Sequence, residues 1–203
     1  MCQGVIDCTH IKIANPGGDN GEVFRNRKGF FSLNVQVVSG PSREILDIRH
    51  PGSNHDNVIF DRSSLRIRIE TGNVPGLLLG NNGYACKNYL LTPVLQPVLQ
   101  PENDQETRYN RAHIRTRNIV ERLFGIWKKR FPCLHRGLQT KLDTSVAIIC
   151  ATATLYNIGL RENEDFEDDI VDVDEPIGVR NNPDAHRRLD FRRHFIQQHF
   201  RNQ

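Results

Sequence analysis

Three residues place polar chemistry where the surrounding sequence argues against it. Asp7 lies inside an apolar run, Val5-Ile6-Asp7-Cys8. Burying a carboxylate there costs several kcal/mol unless it is bonded to backbone amides, paired with a cation or used to hold a metal. Glu121 is the single acid between Arg108 and Arg130. Taken alone it reads as half of a surface ion pair. Asn81 follows the apolar run Leu77-Leu78-Leu79. Taken alone it is a turn residue, because Asn tolerates left-handed backbone. Around Glu121 stand eight basic side chains: Arg108, Arg111, Arg115, Arg117, Arg122, Lys128, Lys129 and Arg130. They suit either salt-dependent contact with a phosphate backbone or a solvated helix face. Arg25, Arg27 and Lys28 form a second basic cluster.

Other chemistries fit less well. Five cysteines (Cys2, Cys8, Cys86, Cys133, Cys150) are an odd number without a CxxC pair, which argues for reduced thiols in cytosol or nucleus. Cys and His are scattered rather than paired at zinc-ligand spacing. No run approaches the roughly 18 apolar residues of a membrane span, and the first residues show no secretory signal. The net charge of +3 hides an uneven distribution. Residues 1–160 carry 20 Lys/Arg against 13 Asp/Glu, a net +7. Residues 161–178 carry one Arg against nine acids, and residues 179–203 six Arg against two acids. A mildly basic core over 1–160 is therefore expected to end in a charged, flexible tail over 161–203.

The elements that must position these residues are legible from periodicity. Residues 4–13 read as a strand. Phe31–Val37 alternates apolar and polar residues, the period of a half-buried strand. Gly40-Pro41-Ser42 is a turn, and Ile45–Ile48 the returning strand. A helix is expected to start within Pro51–Asp56, capped by Ser53, with Val58, Ile59 and Leu65 on its buried face. Leu77–Leu79 reads as a strand buried on both faces, and Tyr89–Thr92 as another. The repeat Val94-Leu95-Gln96-Pro97 and Val98-Leu99-Gln100-Pro101 is a loop duplication. Arg108–Phe131 is a long helix with Trp127 at its core, ended by Pro132. Thr144–Leu160 is the next helix, and Arg187–Phe200 a short basic one. The order is that of an α/β fold with a mixed sheet.

The stretches GVIDCTHI (4–11), NRKGFFSLNVQVV (26–38), PGSNHDNVIF (51–60), LLGNNGY (78–84), YLLTP (89–93), YNRAHIRTRNIVERLFGIWKKRFPCL (109–134) and LYNIGL (155–160) come in one order. In these, the chain resembles the transposase-derived nucleases of the PIF/Harbinger group over about residues 4–160. The resemblance implies an RNase-H-like mixed sheet flanked by helices, and a DDE-type catalytic triad on a divalent metal, Mg²⁺ or Mn²⁺. It implies Asp7 as the first acid and Glu121 as the third. The second lies in an LLGDSGY-like segment, which here reads Leu78-Leu79-Gly80-Asn81-Asn82-Gly83-Tyr84. Asn81 stands where the acid is expected. Asp56 is the nearest substitute carboxylate, or else a helix cap.

That departure matters physically. Two-metal phosphodiester hydrolysis needs carboxylates to hold ions roughly 3.5–4 Å apart. Asn offers a neutral amide oxygen instead, and a unit charge at about 4 Å is worth about 4 kcal/mol per unit metal charge at an effective dielectric near 20. The expectation is a metal-dependent DNA endonuclease by ancestry, impaired at Asn81. The alternative is a non-catalytic DNA- or protein-binding module on the same fold. Arg111, Arg115, Arg117, Arg122, Lys128, Lys129 and Arg130 are the expected DNA-backbone contacts. The resemblance also implies a nuclear location, a separate DNA-binding partner protein, and a helix-turn-helix segment before the core, for which this chain has no room.

Overall fold

The computed structural model describes residues 2–18, 21–50, 56–74, 76–94, 104–162 and 186–200. Five strands form one sheet: β1 (Cys2–Lys12), β2 (Ser32–Ser39), β3 (Ile45–Arg49), β4 (Leu77–Gly80) and β5 (Leu90–Leu91). Their order is β3-β2-β1-β4-β5. β1, β2 and β3 pair antiparallel, whereas β1–β4 and β4–β5 pair parallel. The expected α/β fold with a mixed sheet is what the chain adopts. In the hairpin between β2 and β3 the left-handed residue is Arg43 (φ 67°) rather than a glycine, and Gly40 N–H bonds Glu44 O at 2.9 Å.

The crossover from β3 to β4 holds two helices where one was expected, α1 (Asp56–Asp61) and α2 (Ser64–Glu70). Ser63 separates them. Its hydroxyl accepts the Arg66 amide at 3.0 Å, satisfying an orphan donor of a new first turn. The expected cap Ser53 lies outside the described residues, as do most of the four-residue repeat and the acidic run. Ile59 and Leu65 are buried as expected, with Phe60 between them, whereas Val58 is only half-buried.

The other face of the sheet carries α3 (Asp104–Arg130), α4 (Pro132–Arg136), α5 (Leu142–Arg161) and α6 (His186–His199). Pro132 does not simply end the long helix. It opens α4 at the first helical turn, where a missing N–H costs nothing. The buried stripe of α3 is Tyr109, His113, Val120, Leu123 and Trp127, while Ile119 is half-buried and Arg130 exposed. Period-2 alternation splits β1 between the layers. Ile6 joins Phe60, Leu65 and Tyr84 on the α1/α2 side. Val5 packs with Val120, and Ile11 with Trp127, on the α3 side. Asp7 points with the second set, toward α3.

The basic helix of the expected tail is α6, and it is docked. Ile196 is buried among Tyr109, Val120 and Leu91, and the Phe200 carbonyl accepts from Arg108 at 2.8 Å. Arg192 is 9% exposed, and its Nη1 donates to Thr92 O at 3.1 Å and Pro93 O at 2.7 Å. α5 is long and apolar enough to cross a membrane by length and composition alone, although no unbroken apolar run spans it. Here Ile149, Ala153 and Tyr156 on α5 pack into the core.

Candidate functional site on the β1–α3 seam

Asp7 is 7% exposed in the middle of β1, the central strand. Its Oδ1 accepts the Cys8 amide at 2.8 Å and Asn81 Nδ2 at 2.8 Å. Its Oδ2 accepts from Arg117 Nη2 at 3.0 Å. The same Nη2 donates to Glu121 Oε1 at 2.9 Å, one helical turn along α3. The structure thus brings Asp7, Asn81 and Glu121 together, with Arg117 between the two acids. Burial pushes the Asp7 carboxyl above its ordinary pKa, against the opposing pull of Arg117 and the Cys8 amide.

Asn81 follows Gly80 at the end of β4, beside Asp7 because β4 pairs parallel with β1. Its orientation is set by the backbone. Oδ1 accepts the Gly83 N–H at 2.6 Å, so the amide nitrogen must face Asp7. Asn81 thus shapes the turn through its side chain rather than through left-handed backbone, and touches Asp7 at the same time. A Cβ at Gly83 would stand 2.8 Å from Asn81 Oδ1 and 2.9 Å from Asp56 Oδ2, so these side chains would have to shift to admit one.

Asp56 opens α1 beside Gly83 and is held by side chains of β2. Its Oδ1 accepts from Asn34 Nδ2 at 3.1 Å, and its main-chain carbonyl from Gln36 Nε2 at 3.3 Å. It acts on Asp7 only through space, as the smallest of the influences on that carboxyl. Cys8 Sγ lies 3.3 Å from Tyr84 Oη, and burial raises both groups well above their ordinary pKa values. Burial thus favours the thiol over the thiolate at Cys8.

The seven expected DNA contacts divide between two faces of α3. Arg111, Arg115, Arg122 and Lys129 fall on one helical line, and all four are exposed. Arg130 is exposed beside them. Arg117 and Lys128 instead face the seam. Lys128 Nζ donates to Thr9 Oγ1 at 2.6 Å and His10 O at 3.2 Å, and burial lowers its pKa. Sequence reasoning placed Arg117 on the phosphate face. Its i,i+4 spacing to Glu121 was the available signal for the ion pair. The expected surface pair is real but largely buried, with side-chain exposures of 14% and 23%.

Residues 6–157 match the family described as DDE superfamily endonuclease. The chain belongs to this family. It is similar to the proteins named "Putative nuclease HARBI1", at 37% identity over 169 residues in Mus musculus, 34% over 168 in Bos taurus and 33% over 168 in Homo sapiens. Each alignment covers 80% of this chain and 47% of the relative. The chain thus spans about half the length of the curated relatives it matches. No solved structure matches it significantly. These likenesses agree with the resemblance read from the sequence, and the five-stranded mixed sheet flanked by helices is consistent with the RNase-H-like fold of DDE enzymes.

DDE superfamily endonucleases generally depend on a divalent metal. The donor chemistry here fits one such ion and not two. Asp7 and Glu121 supply hard carboxylate oxygens converging on one point, as Mg²⁺ or Mn²⁺ requires. Asn81 turns its N–H toward the other oxygen of Asp7, Oδ1, where it offers a cation no ligand. Among the described residues, no group of three or more His, Cys, Asp or Glu side chains is gathered to hold a metal.

Proposed function

We propose that the protein is a DDE-type nuclease for DNA phosphodiesters whose chemistry is impaired at the second acidic position. The observation that carries this is the Asn81 amide, which donates to Asp7 Oδ1 at 2.8 Å where a second metal-binding carboxylate is expected. A divalent ion bound by Asp7 and Glu121 would polarise a phosphoryl oxygen and lower the pKa of a bound water. The rest falls to the protein. Asp7 and Glu121 hold the negative charge of the site on two rigid elements, the central strand and the long helix. Arg111, Arg115, Arg122, Lys129 and Arg130 orient the phosphate backbone along the exposed line of α3, without reading bases. A role on DNA goes with a location in the nucleus, alone or with the cytoplasm, and a separate DNA-binding partner protein would supply sequence-specific targeting.

A second reading has its own observation. Arg117 already pairs with both acids, and the basic line lies on a different, exposed face of the helix. That combination suits a non-catalytic DNA- or protein-binding module. Purified protein with Mn²⁺ and supercoiled plasmid separates the two. The nuclease reading expects weak nicking, abolished in Asp7→Ala and Glu121→Ala and raised in Asn81→Asp. Salt-sensitive DNA binding without nicking in either wild type or Asn81→Asp selects the binding module. Robust wild-type nicking, lost in both alanine variants and unchanged in Asn81→Asp, would overturn the impairment.

A further inference from the structure

We propose that Arg117 is the resident cation of this site, holding the position between Asp7 and Glu121 that a divalent metal would take, so that metal binding requires its displacement. The inference rests on the reading of Asp7 and Glu121 as metal ligands. The geometry is that of a point charge and not of a guanidinium fork. Arginine ordinarily meets a carboxylate with two parallel N–H bonds. Here one nitrogen, Nη2, bridges oxygens of two different carboxylates at 3.0 and 2.9 Å. Nε of the same side chain is buried without a hydrogen-bond partner. The cradle is therefore shaped by the two acids, and the guanidinium fills it incompletely.

Asn81 completes the arrangement. Its N–H donates to the Asp7 oxygen that Arg117 leaves, so both oxygens of Asp7 are satisfied without any metal. The cluster Asp7, Glu121 and Arg117 carries one net negative charge. An aspartate at position 81 would make it two and set a carboxylate against Asp7 Oδ1. The neutral amide and the inserted arginine act in one direction: they let the fold keep its acidic seam closed in the absence of a divalent ion. Removing the guanidinium takes away the one group that bridges the two largely buried carboxylates, and a divalent ion could take its place.

The test uses the full chain with Mn²⁺ alone, so it does not depend on cleavage. Thermal unfolding and the Mn²⁺ electron paramagnetic resonance signal are followed in wild type and Arg117→Gln, with chelator and with millimolar Mn²⁺. Wild type is expected to melt at the same temperature in both buffers and to bind Mn²⁺ weakly. Arg117→Gln is expected to melt lower in chelator, to recover in Mn²⁺ and to bind the ion at least about tenfold more tightly. A purely structural arginine predicts the lower melting temperature without recovery, and that result overturns the proposal. Equal Mn²⁺ affinity in the two proteins also overturns it. Should Arg117→Gln not fold in chelator, Arg117→Lys serves, because it keeps the charge on a stem one bond shorter and so holds the two acids less closely. Intermediate Mn²⁺ affinity supports the proposal, and wild-type affinity contradicts it. Plasmid nicking is scored separately, so failure of the nuclease reading leaves a different signature.

Discussion

Two arginines are buried against the same layer of this molecule and are held in opposite ways. Arg117 meets two carboxylates, Asp7 and Glu121. Arg192 meets only neutral oxygens, the carbonyls of Thr92 and Pro93 and the Thr92 hydroxyl. The first neutralises charge that the fold would otherwise have to bury. The second fastens α6 over the end of β5 by charge-assisted hydrogen bonds. A buried arginine is thus no single kind of feature. Its partners decide whether removing it exposes a charged site or releases a helix.

Breaking Arg117 has the larger effect. Arg117→Gln should cost about 3–5 kcal/mol of global stability in metal-free buffer, the usual consequence of leaving a buried partner charge uncompensated. Urea denaturation of the full chain measures it, and a loss under about 1 kcal/mol would mean that the acids find other partners.

A titration links the two regions, because both guanidiniums bear on His113. Burial first, then Arg117 and Arg192, lower its pKa to about 4 against the raising effect of its bond to the Leu91 carbonyl. A folded pKa below the ordinary 6.5 means that the contribution to stability is complete above about pH 6.5. It is lost as the pH falls toward 4, by up to about 3 kcal/mol. His113→Gln should flatten the stability profile between those limits, and an unchanged slope would assign the acid sensitivity to other groups.

Arg192→Met should cost about 1.5–3 kcal/mol, the range of hydrogen bonds to a charged group, and the loss should be local. Amide exchange is expected to rise in 186–200 while the amides of β1 and β2 stay protected. Smallest per residue are the exposed cations. Arg122→Ala should leave stability unchanged and lower the salt slope of DNA binding by about 0.9 if it contacts one phosphate. Arg192→Met should leave that slope alone.

The sheet was legible because β2 alternates apolar and polar residues, β4 is an unbroken apolar run and the turns carry Gly, Pro and Asn, although β2 is buried along its whole length rather than on one face. Asp7 stood out as a carboxylate in an apolar strand, and Glu121 as one acid among eight bases. What decided their chemistry was not local. Arg117 reaches Asp7 across 110 residues of sequence, and only the packing of α3 on β1 makes that contact. Asn81 could be read as a departure from an acid, but its orientation depends on the Gly83 amide. The break at Ser63 and the opening of α4 at Pro132 are capping effects, which compete with helix periodicity and leave it intact. Arg192 looked like tail charge because no spacing rule marks a cation that will bond to carbonyls.

The central claim is that the second acidic position has been given up and the remaining acids are closed by a cation of the protein's own. Calorimetric titration of Mn²⁺ into wild type and Asn81→Asp tests it most directly. The account predicts weak binding of at most one ion in wild type and clearly tighter binding in Asn81→Asp. Tight binding of two ions by the wild-type protein would contradict it.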